Sequence, residues 1–159
     1  MINQIPERNF HTRILSFNNK LMNLSSYNNS MYKPGSVIKR LLWLYVSIIF
    51  FKSGIFPFYF IKTFFLKLFG AKLGKGVLIK PHVNIKYPWF LEVGNFVWIG
   101  ENVWIDNLIL VKIGSNVCIS QGAYLLTGNH NYKLNTFDLM PEGIILEDEV
   151  WIGAKTIVC

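Results

Sequence analysis

One histidine of this sequence, His130, stands in a polar stretch, LLTGNHNYKLNTFDLMPEG, that interrupts an otherwise regular pattern. A histidine beside a carboxylate or a carboxamide can act as a general base, because the neighbour fixes which ring nitrogen carries the proton. The repeat described below brings Asp106 and Asn107 to the corner from which this stretch departs. We therefore predict that His130 is a general base, against the alternative of an inert histidine in a polar loop.

The other residues that could do chemistry have less support. His11 and His82 lie far from His130 along the chain, so three histidines cannot gather around one metal ion, and we predict no metal site. Cys118 has no neighbour in sequence that would activate a thiolate, which favours a packed thiol. With only one other cysteine, at position 159, it cannot make a disulfide framework. A reducing, cytoplasmic compartment is therefore favoured.

The element that must position His130 is a repeat. Aliphatic residues recur every six positions in groups of three, and the groups are separated by steps of eight. The markers are Leu73, Ile79, Ile85, Val93, Ile99, Ile105, Ile113, Ile119 and Leu125, followed after a gap by Leu146, Ile152 and Val158. Three hexapeptides make one triangular turn of a parallel β-helix. We therefore predict an all-β solenoid over residues 73–159, and so many markers in register disfavour an ordinary β-sandwich.

The gap in the repeat predicts one long loop. Each turn takes 20 residues, because two extra residues follow every third hexapeptide, so residues 20 apart should stack on one another. Val93 should lie below Ile113, and Ile105 below Leu125. The step from Leu125 to Leu146 ejects a loop at the same corner, predicted over residues 127–145. A long loop in a compact repeat is more often functional than decorative, which supports His130.

Charge divides the chain near residue 72. The net charge is +7, but residues 1–72 hold ten Lys or Arg and one Glu (+9), whereas residues 73–159 hold six Lys and eight Asp or Glu (−2). We predict a flexible polar tail over residues 1–36 and a basic, hydrophobic helical segment over residues 37–72. No base-reading motif accompanies these basic residues, so we predict no nucleic-acid partner.

The basic segment should form two helices with a break between positions 53 and 57. Its longest uncharged run, residues 41–51, is eleven residues, whereas a membrane span takes about 20. Phe60, Phe64 and Leu68 recur at helical spacing, and Lys62 and Lys67 could extend to the surface around them. The segment caps the first coil of the repeat, contacts the inner face of the cytoplasmic membrane peripherally, or does both, and a transmembrane helix is the remaining alternative.

Several phrases together resemble a known family: IKRLLW, LKLFGAKLGKGVLIKPHVNIKYPW, VWIGENVWIDNL, IGSNVCISQGAYLLTGNHNY and LEDEVWIGAKTIV. They are similar to the hexapeptide-repeat acyltransferases, and within them to the acetyltransferases of colanic acid and related exopolysaccharide biosynthesis. The resemblance runs from about Tyr32 to Cys159. It implies a left-handed β-helix, a homotrimer, and transfer of acetyl from acetyl-CoA to a hydroxyl of a sugar or lipid-linked saccharide.

The resemblance also implies roles for individual residues. His130 would remove the proton from the acceptor hydroxyl, without a metal. Asn131 follows it where relatives often carry Asp, which leaves an orienting role for that position in doubt. The acceptor would be held by Asp106, Asn107 and Asn129. The pantetheine arm of acetyl-CoA would lie along strands that begin near Trp151, Gly153 and Ala154.

Relatives continue through further coils, so we expect a chain that is truncated at its C-terminus, within a hexapeptide. The rival to an enzyme is therefore a non-catalytic β-helix scaffold or an inactive truncated pseudoenzyme. Retention of the loop with His130 favours enzyme ancestry.

Overall fold

A computed structural model of the protein describes residues 22–56 and 58–159. Its C-terminal part is a left-handed parallel β-helix of four coils, in which three parallel four-stranded sheets form the faces of a triangular prism. The first sheet holds β1 (Lys72–Leu73), β4 (Leu91–Val93), β7 (Val111–Ile113) and β10 (Ile144–Leu146). The second holds β2 (Leu78–Ile79), β5 (Trp98–Ile99), β8 (Cys118–Ile119) and β11 (Trp151–Ile152). The third holds β3 (Asn84–Ile85), β6 (Trp104–Asp106), β9 (Tyr124–Leu126) and β12 (Ile157–Val158). The predicted fold class is confirmed.

The register follows the arithmetic of the repeat. Val93 pairs with Ile113, Ile99 with Ile119, and Ile105 with Leu125. In the last step Leu125 pairs with Val158, because the loop lengthens that coil. The inward aliphatic residues of the middle coils are almost completely buried and form one continuous core. Burial of these side chains is the main favourable contribution to folding of the prism.

Two corners of the prism turn through residues in the left-handed region of φ. One corner stacks Gly76, Phe96, Asn116 and Glu149, and the other stacks His82, Asn102, Gly122 and Lys155. Glycine and asparagine adopt this conformation most easily. The corners at Phe96 and His82 show that the stacked coils impose it on other residues as well.

The segment before the prism is helical. Helix α1 (Val37–Val46) continues into a π-helical turn (Ser47–Lys52), and helix α2 (Tyr59–Leu68) follows a break. Ser36 is the N-cap of α1, since its hydroxyl accepts a hydrogen bond from the Lys39 N–H. Short 3₁₀ turns lie at Leu24–Ser26 and Pro88–Phe90. None of the described helices is long and apolar enough to cross a membrane.

The helices close the first coil of the prism through buried donors. The first coil has no coil below it, so its outward carbonyls need other partners. The Trp43 indole N–H donates to the Ile85 carbonyl at 2.9 Å. Lys62 Nζ donates to the carbonyls of Lys80 at 2.8 Å and Ile79 at 3.3 Å. The expectation that Lys62 extends to the surface was wrong, because its side chain is completely buried against these carbonyls.

Replacing Lys62 with methionine should lower the free energy of unfolding by about 1–3 kcal/mol, because two edge carbonyls lose their donor. Burial lowers the pKa of Lys62 below its ordinary value of 10.5. The unfolded chain therefore binds more protons between the lowered pKa and 10.5, so wild-type stability rises with pH across that interval. The variant lacks this rise, and its deficit should grow toward alkaline pH in urea titrations.

Lys67→Met is the matched control, because Lys67 lies on the same helix with an exposed side chain. It should change stability by less than about 0.5 kcal/mol at every pH. Equal losses in the two variants would show that Lys62 does not cap the coil.

Candidate active site

The predicted loop is an ordered hairpin that leaves the prism after β9 and returns at β10. The Met140 N–H donates to the Asn129 carbonyl at 2.7 Å, and the Asn131 N–H donates to the Asp138 carbonyl at 2.9 Å. His130 and Leu139 form an antiparallel bridge between the two arms. Because β10 begins at Ile144, the hairpin spans residues 127–143, two residues fewer than predicted.

Thr127 fixes the point from which the hairpin departs. Its hydroxyl donates to the Asp106 carbonyl at 2.9 Å and accepts from the Leu108 N–H at 2.8 Å. Both partners belong to the corner of the coil below, and Thr127 is almost completely buried. The side chain therefore ties the base of the hairpin to the prism, three residues before the histidine.

The imidazole of His130 is held in one orientation. Its Nδ1 lies 2.9 Å from the Phe137 carbonyl. A carbonyl only accepts, so Nδ1 carries the hydrogen and, in the neutral ring, Nε2 carries the lone pair. The ring also stacks on the Phe137 ring, with centroids 4.3 Å apart and planes 3° apart. His130 therefore presents Nε2 as a proton acceptor.

Phe137 makes both contacts from an unusual backbone conformation, with φ of 52°. A phenylalanine in this region is strained, and such residues persist only where their surroundings hold them. The conformation lets one residue offer its carbonyl to Nδ1 and its ring to the face of the imidazole. Nothing in the sequence pattern pointed to Phe137.

A segment before α1 lies against the hairpin. The Asn23 N–H donates to the Asn135 carbonyl at 2.8 Å, and the Tyr32 hydroxyl donates to the Leu108 carbonyl at 2.7 Å. The Tyr27 ring lies 5.8 Å from the imidazole of His130. The tail predicted over residues 1–36 therefore contacts the prism and the hairpin in its described part, and no pattern in the sequence predicts these contacts. Residues 1–21 lie outside the described part of the chain.

A cavity of about 500 Å³ opens beside His130. Its walls include Tyr27, Ser30 and Tyr32 from the segment before α1, and Lys86 and Tyr87 from the prism. Burial, together with the nearby Tyr87 and Asp106, raises the pKa of Tyr32, so its hydroxyl stays protonated and keeps its bond to Leu108. His130 thus lines a polar pocket large enough for a sugar ring.

Comparison with known proteins identifies the family. The chain is 35% identical over 127 residues to the WcaF proteins of Escherichia coli (strain K12) and Shigella flexneri, which carry the assignment of colanic acid biosynthesis acetyltransferase. The match covers 80% of this chain and 70% of each relative. The chain belongs to the WcaF family of acetyltransferases. No protein-family model and no solved structure matches it.

Two residues that the WcaF resemblance suggests for binding the sugar acceptor are bonded to other groups of the protein. Asn107 has no exposed surface, and its amide is bonded to the Tyr87 backbone, accepting from the N–H at 3.0 Å and donating to the carbonyl at 2.6 Å. It therefore supports the corner of the coil and cannot reach an acceptor. Asp106 Oδ1 lies 2.8 Å from Lys86 Nζ as an ion pair, and this buried oxygen has no other partner in the described residues.

Neither residue orients the imidazole of His130, because its Nδ1 is bonded to the Phe137 carbonyl. The expectation that Asp106 or Asn107 fixes the tautomer was wrong, because stacking brings them to the foot of the hairpin rather than to its arms. Asn129 Oδ1 accepts from the His130 N–H at 2.8 Å, and Asn131 Oδ1 accepts from the Lys133 N–H at 3.1 Å. Their side chains therefore shape the local backbone. Asn129 is also exposed, so its side-chain NH2 group can donate to the oxygen of a sugar acceptor.

The residues suggested for the acetyl donor lie apart from this pocket. Trp151 is on β11, where its indole N–H donates to Ser120 Oγ at 2.9 Å, and Gly153 and Ala154 follow at the next corner. None of the three lines the cavity that holds His130. Across residues 22–56 and 58–159, no three His, Cys, Asp or Glu side chains are grouped as metal ligands.

Proposed function

We propose that this protein transfers acetyl from acetyl-CoA to a sugar hydroxyl in the synthesis of a colanic acid-like exopolysaccharide. The observation that carries the proposal is the orientation of His130, whose Nδ1 donates to the Phe137 carbonyl and whose ring borders a polar cavity. Membership of the WcaF family supports the reaction class.

The chemistry follows from that orientation. Nε2 of His130 removes the proton from the acceptor hydroxyl as its oxygen attacks the thioester carbonyl. When the tetrahedral intermediate collapses, the carbon–sulfur bond breaks, and the imidazolium returns the proton to the departing thiolate of CoA. The bond from Nδ1 to Phe137 becomes stronger while the ring is charged, which stabilises the intermediate.

The reaction is tested by incubating the purified protein with acetyl-CoA and an extract of saccharide precursors, and following both the thiol released and the acetyl ester formed. Acetyl-CoA-dependent ester formation supports the proposal. A protein that binds saccharide and assembles normally, yet never forms an ester, would instead support the non-catalytic scaffold.

We propose further that the chain assembles as a homotrimer through its prism. Outward side chains of the second sheet include Trp98 and Trp151, and those of the third include Trp104 and Ile157; all four are exposed. The first sheet instead presents Lys72 paired with Glu92 at 2.6 Å. Exposed large apolar side chains on two faces favour self-association there, which sedimentation equilibrium would measure.

We also propose that the helical segment rests on the inner face of the cytoplasmic membrane. Apolar side chains at helical spacing are exposed along α1 and the π-helical turn and along α2: Ile38, Leu41, Leu42, Tyr45, Ile49, Phe60, Phe64 and Leu68. Residues 37–72 contain no Asp or Glu, and Lys52 and Lys67 are exposed among them. Apolar stripes with only positive charge suit an anionic bilayer surface.

The protein should therefore sediment with vesicles of phosphatidylcholine and phosphatidylglycerol at low salt, and bind less to phosphatidylcholine alone. Phe64→Ser should weaken partitioning by about tenfold, because a phenylalanine side chain no longer enters the interface. Phe96→Ser is the matched control, since both phenylalanines are 61% exposed but Phe96 lies on the prism. Equal partitioning of the two variants would overturn the membrane proposal.

A further inference from the structure

One arginine beside the candidate active site has no acidic partner among residues 22–56 and 58–159. Arg40 lies on α1, and its side chain lines the same cavity as His130. Its Nε is buried and has no hydrogen-bond partner within residues 22–56 and 58–159. A buried guanidinium N–H without an acceptor is costly, and arginine is the side chain best suited to carboxylate and phosphate oxygens. Arg40 therefore lines the cavity as a cation whose Nε has no acceptor among the described residues.

The charges around Arg40 leave the cavity positive. Lys86 also lines it, but Lys86 is paired with Asp106 at 2.8 Å. The charge on Arg40 is the one left uncompensated among the described ionic groups of the cavity wall. Tyr32 is close enough for Arg40 to affect its pKa, although burial keeps the phenol neutral, so it adds no negative charge. One net positive charge thus lines the same polar pocket as His130.

A second cavity shares part of its wall with the first. It has a volume of about 410 Å³ and lies between α1 and the third sheet, and it shares Arg40, Lys86 and Tyr87 with the pocket of His130. The rest of its wall is mainly apolar, with Leu41, Leu44 and Trp104 among its residues. Leu41 also belongs to the exposed apolar stripe of α1. Arg40 therefore lines both the polar pocket of His130 and this mainly apolar groove.

We propose that Arg40 is a binding residue for a negatively charged substituent of the acceptor, a phosphate or a carboxylate, and thereby selects acidic or phosphate-linked saccharides. The proposal rests on the proposed acetyl transfer, whose acceptor class it narrows. The guanidinium pairs with the anion while the sugar hydroxyl reaches Nε2 of His130. An alkyl chain attached through the phosphate would enter the apolar groove.

Binding of small probes to the full chain tests this without turnover. Isothermal titration calorimetry at low ionic strength would compare glucose 1-phosphate, methyl glucuronoside, octyl phosphate and the neutral methyl glucoside. We expect the wild type to bind an anionic probe about tenfold more tightly than methyl glucoside. Tightest binding of octyl phosphate identifies a lipid phosphate as the source of the charge, and tightest binding of the glucuronoside identifies a sugar acid.

Variants of Arg40 test whether this residue binds the anionic probe. Arg40→Gln should weaken binding of the anionic probe by about tenfold and leave methyl glucoside unaffected. Arg40→Lys should keep part of the affinity, because it retains the charge without the planar fork. Lys112→Gln removes one charge from the exposed first sheet and should change binding less than about twofold.

Equal effects of Arg40→Gln and Lys112→Gln, or no preference of the wild type for any anionic probe, would overturn the subsite. If Arg40→Gln fails to fold, the affinity of Arg40→Lys and the preference of the wild type for anionic probes still test the subsite. Anion binding without any acetyl transfer would leave the subsite intact and count against the proposed function. Transfer to anionic acceptors at the wild-type kcat/KM in Arg40→Gln would remove the subsite alone.

Discussion

Replacing His130 with asparagine should lower kcat for acetyl transfer by about 10²–10⁴-fold, the usual contribution of a positioned general base. Asparagine is the informative substitution, because its amide N–H can take the place of Nδ1–H and donate to the Phe137 carbonyl. The hairpin should then keep its shape while the proton acceptor at the position of Nε2 is lost. KM for acetyl-CoA should change less than about threefold, since binding of the donor does not require the base.

His82→Asn is the matched control for this substitution. His82 is exposed at a corner of the first coil, with φ of 60°, and its Nδ1 lies 2.9 Å from the Lys52 carbonyl. Asparagine tolerates that conformation, so the control should keep wild-type kcat. If the His130 variant turned over acetyl-CoA as fast as the His82 variant, His130 could not be the base.

The prism could be predicted almost completely from the sequence, whereas the orientation of its histidine could not. Stacking by 20 residues depends only on marker spacing, so the pairing of Ile105 with Leu125 could be read directly. The same arithmetic would have paired Lys86 with Asp106 and so removed Asp106 as a free acceptor ligand. The Phe137 carbonyl gave no such signal, because a backbone group within an irregular hairpin has no pattern in side-chain types.

The basic helical segment over residues 37–72 could also be predicted only in part. Its hydrophobic periodicity predicts two helices. Which face of each helix packs on the prism depends instead on which side-chain donors reach the unpaired carbonyls of the first coil. Lys62 is buried for that reason, although a lysine on an aromatic helix would ordinarily extend to water. The positive charges of the segment therefore include one lysine that completes the fold, one arginine that lines the cavity beside His130, and exposed lysines beside the apolar stripes.

Thr127→Val should reduce kcat by about 10–100-fold, because the foot of the hairpin loses its side-chain link to the coil below. The valine side chain has nearly the same shape, but it cannot accept from the Leu108 N–H or donate to the Asp106 carbonyl. Loss of these buried bonds should cost about 1–3 kcal/mol of stability. A shift of about 1 Å in a catalytic group can cost about 100-fold in rate, and His130 follows only three residues later.

Thr127→Ser separates positioning from stability, because it keeps the hydroxyl and loses only the methyl group. The serine variant should recover most of kcat, while the valine variant should show a lower kcat with KM for acetyl-CoA nearly unchanged. Lys62→Met provides a second comparison, since it should lose similar stability at the opposite end of the prism without affecting kcat. If Thr127→Val and Lys62→Met lowered kcat equally, the rate would follow global stability, and Thr127 would have no positioning role. A deficit in kcat confined to Thr127→Val would mean that the coil below the hairpin holds the general base in register through one hydroxyl group.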